Sequence, residues 1–502
     1  MSTDVARQRV CVLGLHLIAL GLLALQVYVR RYPPTTTAIP EPNSPEAHWW
    51  GLWPITYLPD WMFAVGAGAI VLLVAILWWR ELTTGSETIQ MHGPVQRAWS
   101  GYVLGAIAVL LVVAFFAFPI VHTRWGDAYI LSKSIAWPDL DLRLTRSWQA
   151  PLDVYLHSTL WQTLGEGLAW QDATPVYRLL SPLAGALYLG ALLILSGNRR
   201  LAPNWLTFAL LASLGVIQLF FGYIENYSFA AAAVLVYMWL GINVAQQRRP
   251  LWTAASALAF ANALHPSTLV LGPSLLYLGW LDVRRARAPG NKPALYDVIR
   301  TGTEIVAPVA VVYGVTWIMM ETGGHGLSAL FSNDRPGGGD ARWLVPLREA
   351  TTEWEHYTLF SWPHVRDFLN EQWLIAPVVL PSLIFVGVAQ LLRRDTTGSA
   401  KKGKDITPPY LMPDRLLVWF LVIATGFYLL FVWMWNPDYG GQRDWDLFSL
   451  VAVPESLLLV YALTRSLAPW RYLAFGAAPL IAVQVLHTAA WIYQNTLPWQ
   501  WP

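Results

Sequence analysis

Apolar residues in this chain come in runs of about twenty, the length that crosses a bilayer, and not at the three-to-four spacing of a helix with one wet face. The runs are 10–29, 62–79, 101–121, 176–196, 204–221, 227–245, 252–264, 267–282, 303–320, 374–392, 414–435, 447–464 and 471–493. The pattern predicts an all-α polytopic membrane protein of about 13 transmembrane helices. The pieces 252–264 and 267–282 are short for spans and meet at His265-Pro266. Reading them as two spans puts Arg248-Arg249 and Arg284-Arg285 in one compartment, as the enrichment of basic residues on the cytoplasmic side requires.

Composition agrees: the 502 residues are 55% hydrophobic, 13% charged and include 29 tryptophans. The single cysteine, Cys11, excludes an intrachain disulfide and makes redox chemistry unexpected. With the N-terminus inside, Arg199-Arg200, Arg248-Arg249, Arg284-Arg285, Arg393-Arg394 and Lys401-Lys402 fall in cytoplasmic loops, while most acids fall outside. The expected location is a plasma (inner) membrane, multi-pass, with the acid-bearing loops, and any site they form, extracytoplasmic. Residues 1–100 read as a two-span N-terminal hairpin, and 101–502 as a transmembrane core with large outer loops at 122–175 and 321–373. No internal repeat argues for an inverted-repeat transporter.

The first outer loop is the most informative stretch. It begins Arg124-Trp125-Gly126-Asp127-Ala128-Tyr129 and continues to Gln149-Ala150-Pro151-Leu152-Asp153-Val154-Tyr155-Leu156. Ile130, Leu131, Ser134 and Ile135 fall at helical spacing after Asp127, and Leu152, Tyr155, Leu156 and Leu160 share a face after Pro151. Both segments read as amphipathic helices on the membrane surface. The residue types alone leave Asp127 either a helix N-cap or a chemical group.

These two segments resemble the GT-C superfamily of membrane glycosyltransferases, which includes the protein O-mannosyltransferases and the aminoarabinose transferases of lipid A. There a large extracytoplasmic loop starts with an acid, followed by two surface helices and a Lys/His-Pro-Pro-Leu-type segment. Families with paired acids carry Asp-Glu or Asp-Asp, whereas this chain has Asp127-Ala128. The resemblance implies a GT-C-like bundle, with Asp127 as catalytic base for transfer of a sugar from a polyprenyl-phosphate carrier, with inversion.

Further polar groups gather in outer loops. Glu225 and Asn226 stand in a very short turn between two apolar runs, where an ionisable group is either solvated or aimed into a cavity. His265 at the next outer tip is a helix-end partner or a donor to phosphate. Gly323-Gly324-His325-Gly326 opens the second large loop, whose Asn333–Asp340 segment reads as a gate over the substrate. In the last cluster Arg443 stands beside Asp444 and Asp446, and its planar fork suits a phosphate leaving group. Glu225, Asn226, His265, His325, Arg443, Asp444 and Asp446 are therefore the candidate substrate-binding residues. No motif requires a cofactor, and a divalent metal stays open because acids and histidines are present without HExxH, CxxC or calcium-loop spacing. The expected partners are the polyprenyl-phosphate sugar donor, a lipid, glycan or protein acceptor, and membrane lipids, with no nucleic acid. The competing class is a transporter or flippase of a lipid-linked sugar.

Overall fold

The computed structural model describes residues 3–31, 45–83, 94–165, 167–286, 294–331, 342–394, 415–467 and 470–498. The helices run α1 (Thr3–Val29), α2 (Pro54–Tyr57), α3 (Asp60–Thr83), α4 (Pro94–Ala117), α5 (Ala128–Ile135), α6 (Pro151–Leu160), α7 (Thr174–Ser196), α8 (Asn204–Ala212), α9 (Ser228–Ala245) and α10 (Leu251–Leu264). They continue as α11 (Gly272–Ala286), α12 (Leu295–Thr322), α13 (Leu327–Leu330), α14 (Trp362–Ile375), α15 (Val379–Arg394), α16 (Arg415–Met434), α17 (Trp445–Ser449), α18 (Ala452–Ser466) and α19 (Trp470–Asn495). No strand occurs among the described residues, so the all-α expectation holds.

Exposure sorts the helices into an inner and an outer set. The apolar window of α9 is 72% buried and that of Trp445–Ser466 is 83% buried, whereas α3 and α12 bury 11% each. Val65, Leu110 and Val311 stand open on α3, α4 and α12, and such outward apolar surface is stable only against lipid. Inside, one core joins α1, α7, α9, α16, α18 and α19 through Leu15, Tyr188, Tyr237, Phe420, Val453 and Tyr472.

Eight helices among the described residues are long and apolar enough to cross a membrane, or nine counting a pair bent by 100°, against the longer series of runs read from sequence. The run 204–221 is broken: α8 stops at Ala212 and a 3-10 turn follows at Gly215–Phe220. Polar side chains from α19 occupy the break, since Gln484 donates to the Leu210 carbonyl and Ser213 Oγ, and Thr488 donates to the Ser213 carbonyl. These bonds satisfy backbone groups that an unbroken helix would have paired. The run 374–392 begins later, at Val379, beyond the bend after Ile375. At His265-Pro266 the chain does form two helices: α10 ends at Leu264 and α11 returns to the basic end, where Arg285 donates to the Val244 and Ala245 carbonyls.

The second helix of the first loop differs from its expected surface setting. Leu152 and Leu156 pack toward Ala233, Ala261 and Leu264, but the opposite side of α6 is buried too, carrying Asp153, Val154 and His157. The His157 Nδ1 lies 3.1 Å from Asp153 Oδ2, and the ring stacks on Tyr177 of α7 with centroids 4.1 Å apart. The helix thus buries both faces, with His157 Nδ1 bonding the Asp153 carbonyl at 2.8 Å and the Asp153 carboxylate enclosed beside the ring without a hydrogen bond among the described residues, which the pattern of its leucines did not reveal. The segments 332–341 and 395–414 and the C-terminal 499–502, which include the expected gate, Lys401-Lys402 and the terminal tryptophans, lie outside the described residues.

Candidate active site

The polar groups segregate to two ends of the bundle. Starting at Ser228, α9 leaves the turn that bears Glu225 and ends at Ala245 before Arg248-Arg249, while α17 and α18 in succession lead from Asp446 to Arg465 beside the Arg200 carbonyl. One end therefore collects the acids of the outer-loop clusters and the other collects arginines.

Asp127 is placed by a backbone turn that several distant segments hold. Leaving α4, the chain is tied by Ile120 N–H to the Phe221 carbonyl at 2.8 Å and by Val121 N–H to the Asn495 carbonyl at 3.1 Å. Trp125 is fully enclosed, its Nε1 donating to Asn495 Oδ1 at 2.7 Å. The next residue, Gly126, has φ +48, and a Cβ there would stand 2.5 Å from Glu225 Oε1 and 3.2 Å from Asp446 Oδ2. Glycine is thus required twice, by the backbone angle and by the carboxylates pressed against it. The Gly126 N–H donates to the Arg443 carbonyl at 2.9 Å, and the Asp127 N–H donates to Glu225 Oε1.

The Asp127 side chain does not cap α5. Its Oδ1 instead accepts the Tyr439 hydroxyl at 3.0 Å, which removes the N-cap reading of this carboxylate. Burial pushes the Asp127 carboxyl above its ordinary range, and the Tyr439 hydrogen bond and the Arg443 charge pull the other way. Arg443 lies over the Tyr439 ring at 4.6 Å. Asp127, Tyr439 and Arg443 are each partly open to the surroundings.

Behind this accessible layer lie Glu225, Asp444 and Asp446, with 4%, 9% and 2% of their surface exposed. Glu225 accepts the Asp127 and Asn226 N–H groups, Asp444 accepts the Tyr439 N–H at 2.8 Å, and Asp446 accepts the Tyr223 hydroxyl at 3.0 Å. Burial, then Asp446 and Asp127, hold Glu225 well above the carboxylate range, and burial does the same to Asp444. These three acids position the loops that carry Asp127, Tyr439 and Arg443. Where the sequence offers no second acid beside Asp127, Glu225 supplies one in space.

His265 sits one ring away: it lies 4.4 Å from the Tyr227 ring, bonds Ser267 Oγ at 2.8 Å through Nδ1, and takes the Ser267 N–H as a cap. Burial lowers its pKa to about 3, which keeps it neutral. His325 lies apart, with Nδ1 on the Gly323 carbonyl and its own carbonyl accepting Trp148 Nε1 at 2.9 Å. No group of three or more His, Cys, Asp or Glu side chains among the described residues is arranged to hold a metal ion.

No family model and no curated protein matches this chain. A solved structure is similar: ArnT from Cupriavidus metallidurans bound to undecaprenyl phosphate, at a TM-score of 0.45 and 11% identity, over 80% of this chain and 77% of that one. The chemistry of the site rests on its own side chains.

Several of these had no signal in the sequence. Arg124, enclosed and stacked at 4.5 Å over Trp125, lies near enough to Arg443 for the two charges to interact, so Arg443 is not the lone cation it is in its own loop. Burial, with Arg443 beside it, pushes Arg124 down to about 10. Asp367 of α14 accepts from Trp50 Nε1 at 2.7 Å, the Tyr357 hydroxyl at 2.8 Å and the Gly441 N–H at 3.2 Å. It thereby anchors the loop that bears Tyr439 and Arg443 from the far side.

Proposed function

We propose that this protein is a GT-C-type glycosyltransferase that moves a sugar from a polyprenyl-phosphate carrier to an acceptor hydroxyl on the extracytoplasmic side of the membrane. The observation that carries this reading is Asp127: a partly open carboxylate that makes no cap bond, at one end of a lipid-facing bundle, with a tyrosine hydroxyl and an arginine beside it. An acid with its pKa raised is suited to take a proton at working pH. In the reaction, the acceptor oxygen forms a bond to the anomeric carbon as its proton passes to Asp127. The bond from the anomeric carbon to the phosphate oxygen breaks, its electrons stay with polyprenyl phosphate, and the configuration inverts. Arg443, with Arg124 behind it, would stabilise the charge growing on that phosphate. Tyr439 would hold the carboxylate in line.

The test is transfer by the purified protein from a series of polyprenyl-phosphate sugars, following release of polyprenyl phosphate together with glycosylated acceptor. Release that depends on Asp127 supports the reading. Movement of the intact donor across a proteoliposome bilayer, with no release, would replace it with the flippase.

A further inference from the structure

At the end of α9 remote from Asp127, a cavity of about 740 Å³ opens among Gln247, Arg248, Arg249, Asp282, Arg285 and Arg300. The 18 residues of α9 separate it from the acid cluster by roughly 27 Å at the ordinary helical rise, close to the thickness of a hydrocarbon core. We propose that this cavity binds the headgroup of an anionic phospholipid at the membrane face opposite the candidate active site.

Among the described residues the charges lining the cavity do not balance, with four arginines against two acids. Arg300 is matched by Asp282 at 2.6 Å and lies 3.7 Å from Glu304 one turn on, and Arg285 serves the open carbonyls at the end of α9. Both guanidinium groups are thus held in place by bonds that leave other N–H donors unused. Arg248 reaches Asn198 Oδ1 at 3.2 Å, which is a neutral acceptor, and Arg200 repels it from behind. Arg249 is exposed, and Asp297 is the one other acid along the wall. Basic residues placed only to set topology would be solvated individually, whereas these four converge on one concave space. A phosphodiester supplies the missing negative charge, and arginine takes its oxygens two at a time.

The rim identifies the source of the phosphate. Trp252, Leu295, Tyr296 and Ile299 are 51%, 74%, 72% and 57% exposed in the same helical turns that supply Pro250, Asp297 and Arg300. Acyl chains would cover these side chains. A soluble phosphate compound would leave them bare.

The experiment uses the full-length protein in a neutral detergent. Native mass spectrometry follows retention of phosphatidylglycerol, phosphatidylcholine of the same chains, or inorganic phosphate, with thermal stability as a second readout. Wild type should retain and be stabilised by phosphatidylglycerol above the other two. Arg248→Gln with Arg249→Gln should weaken that retention on the order of tenfold or more, since each basic residue near an anionic headgroup contributes several-fold, and the double lysine variant should keep most of it. If the double glutamine variant does not fold, Arg249→Gln alone, at an exposed position, carries the test with a several-fold loss. Equal retention of the two lipids, equal stabilisation by inorganic phosphate, or unchanged retention in a folded glutamine variant would each overturn the proposal.

Discussion

The Tyr439 hydroxyl donates to Asp127 Oδ1 at 3.0 Å across 312 positions of sequence. This bond joins the start of the first outer loop to the last polar cluster, and it opposes the upward push of burial on the carboxyl. Removing it in Tyr439→Phe leaves burial less opposed, so the Asp127 pKa rises further. A general base works only when deprotonated, so activity is lost as pH falls through that pKa. The acid limb of the pH–rate profile should therefore move to higher pH in the phenylalanine variant, with partial recovery at alkaline pH. A uniform drop with no movement of the limb would assign Tyr439 to substrate contact alone.

Glu225 gives a prediction about stability with the opposite dependence. Its folded pKa lies well above the ordinary value because of burial and the neighbouring Asp446 and Asp127. The folded state then binds more protons than the unfolded one, and stability is fully present below the ordinary glutamate pKa and lost as pH rises toward the raised value. Glu225→Gln keeps an oxygen for the Asp127 N–H and abolishes the charge. Its melting temperature in detergent should gain on wild type as pH increases through that window. Parallel curves would mean that the wild-type carboxylate carries no such cost.

The bundle itself was legible because lipid demands a simple pattern, and α1, α3, α7, α9, α12, α16 and α19 all fall on apolar runs. The break at Ser213 was hidden, since apolar residues continue through it from Phe208 to Phe221 and its cause is Gln484 and Thr488, which lie 271 and 275 positions further along the chain. The site shows the same division. Asp127, Glu225, Arg443, Asp444 and Asp446 declared themselves as charges at the edges of apolar runs, and the fold brings them together. Tyr439 and Arg124 did not stand out, because a tyrosine or an arginine near a membrane edge is ordinary until its partner is known. Asp153 and His157 were concealed by the leucines of their own helix, although their four-residue spacing places them on one face.

The separation of basic and acidic ends makes the orientation testable, since the enrichment of basic residues on the cytoplasmic side predicts that the acid-bearing end faces out. Cys11 is buried, so the native background should react little with a polar thiol reagent. In that background an impermeant reagent added outside intact cells should label a cysteine at Glu349, which is exposed beyond the acid-bearing end, and spare one at Arg199, exposed at the basic end. The reverse pattern would invert the orientation and place Asp127 in the cytoplasm.

Arg443→Lys separates charge from shape. The substitution keeps one positive charge near Asp127 and loses the planar fork and the face-on contact with Tyr439. Turnover should fall by about tenfold or more while the protein stays folded, with a larger fall in Arg443→Ala, on the scale of losing a donor to developing charge. Full activity in the alanine variant would leave Arg124 as the cation to examine.

Asp127→Asn is the decisive substitution, because the competing roles for this residue predict different results. A capping role would survive it, since asparagine caps about as well as aspartate, yet the carboxylate makes no cap bond to α5. A purely structural role through Tyr439 would also survive, because the asparagine oxygen still accepts that hydroxyl. The backbone bonds of residues 126 and 127 to Arg443 and Glu225 are unaffected. What asparagine cannot do is accept the acceptor's proton. Turnover should therefore fall on the order of a hundredfold or more, as general-base contributions of ~10²–10⁴ require, with donor affinity and melting temperature retained. Near-normal transfer by the folded variant would move the base elsewhere, to Glu225 or Asp444, and a loss of donor binding with normal turnover at saturation would recast Asp127 as a binding residue.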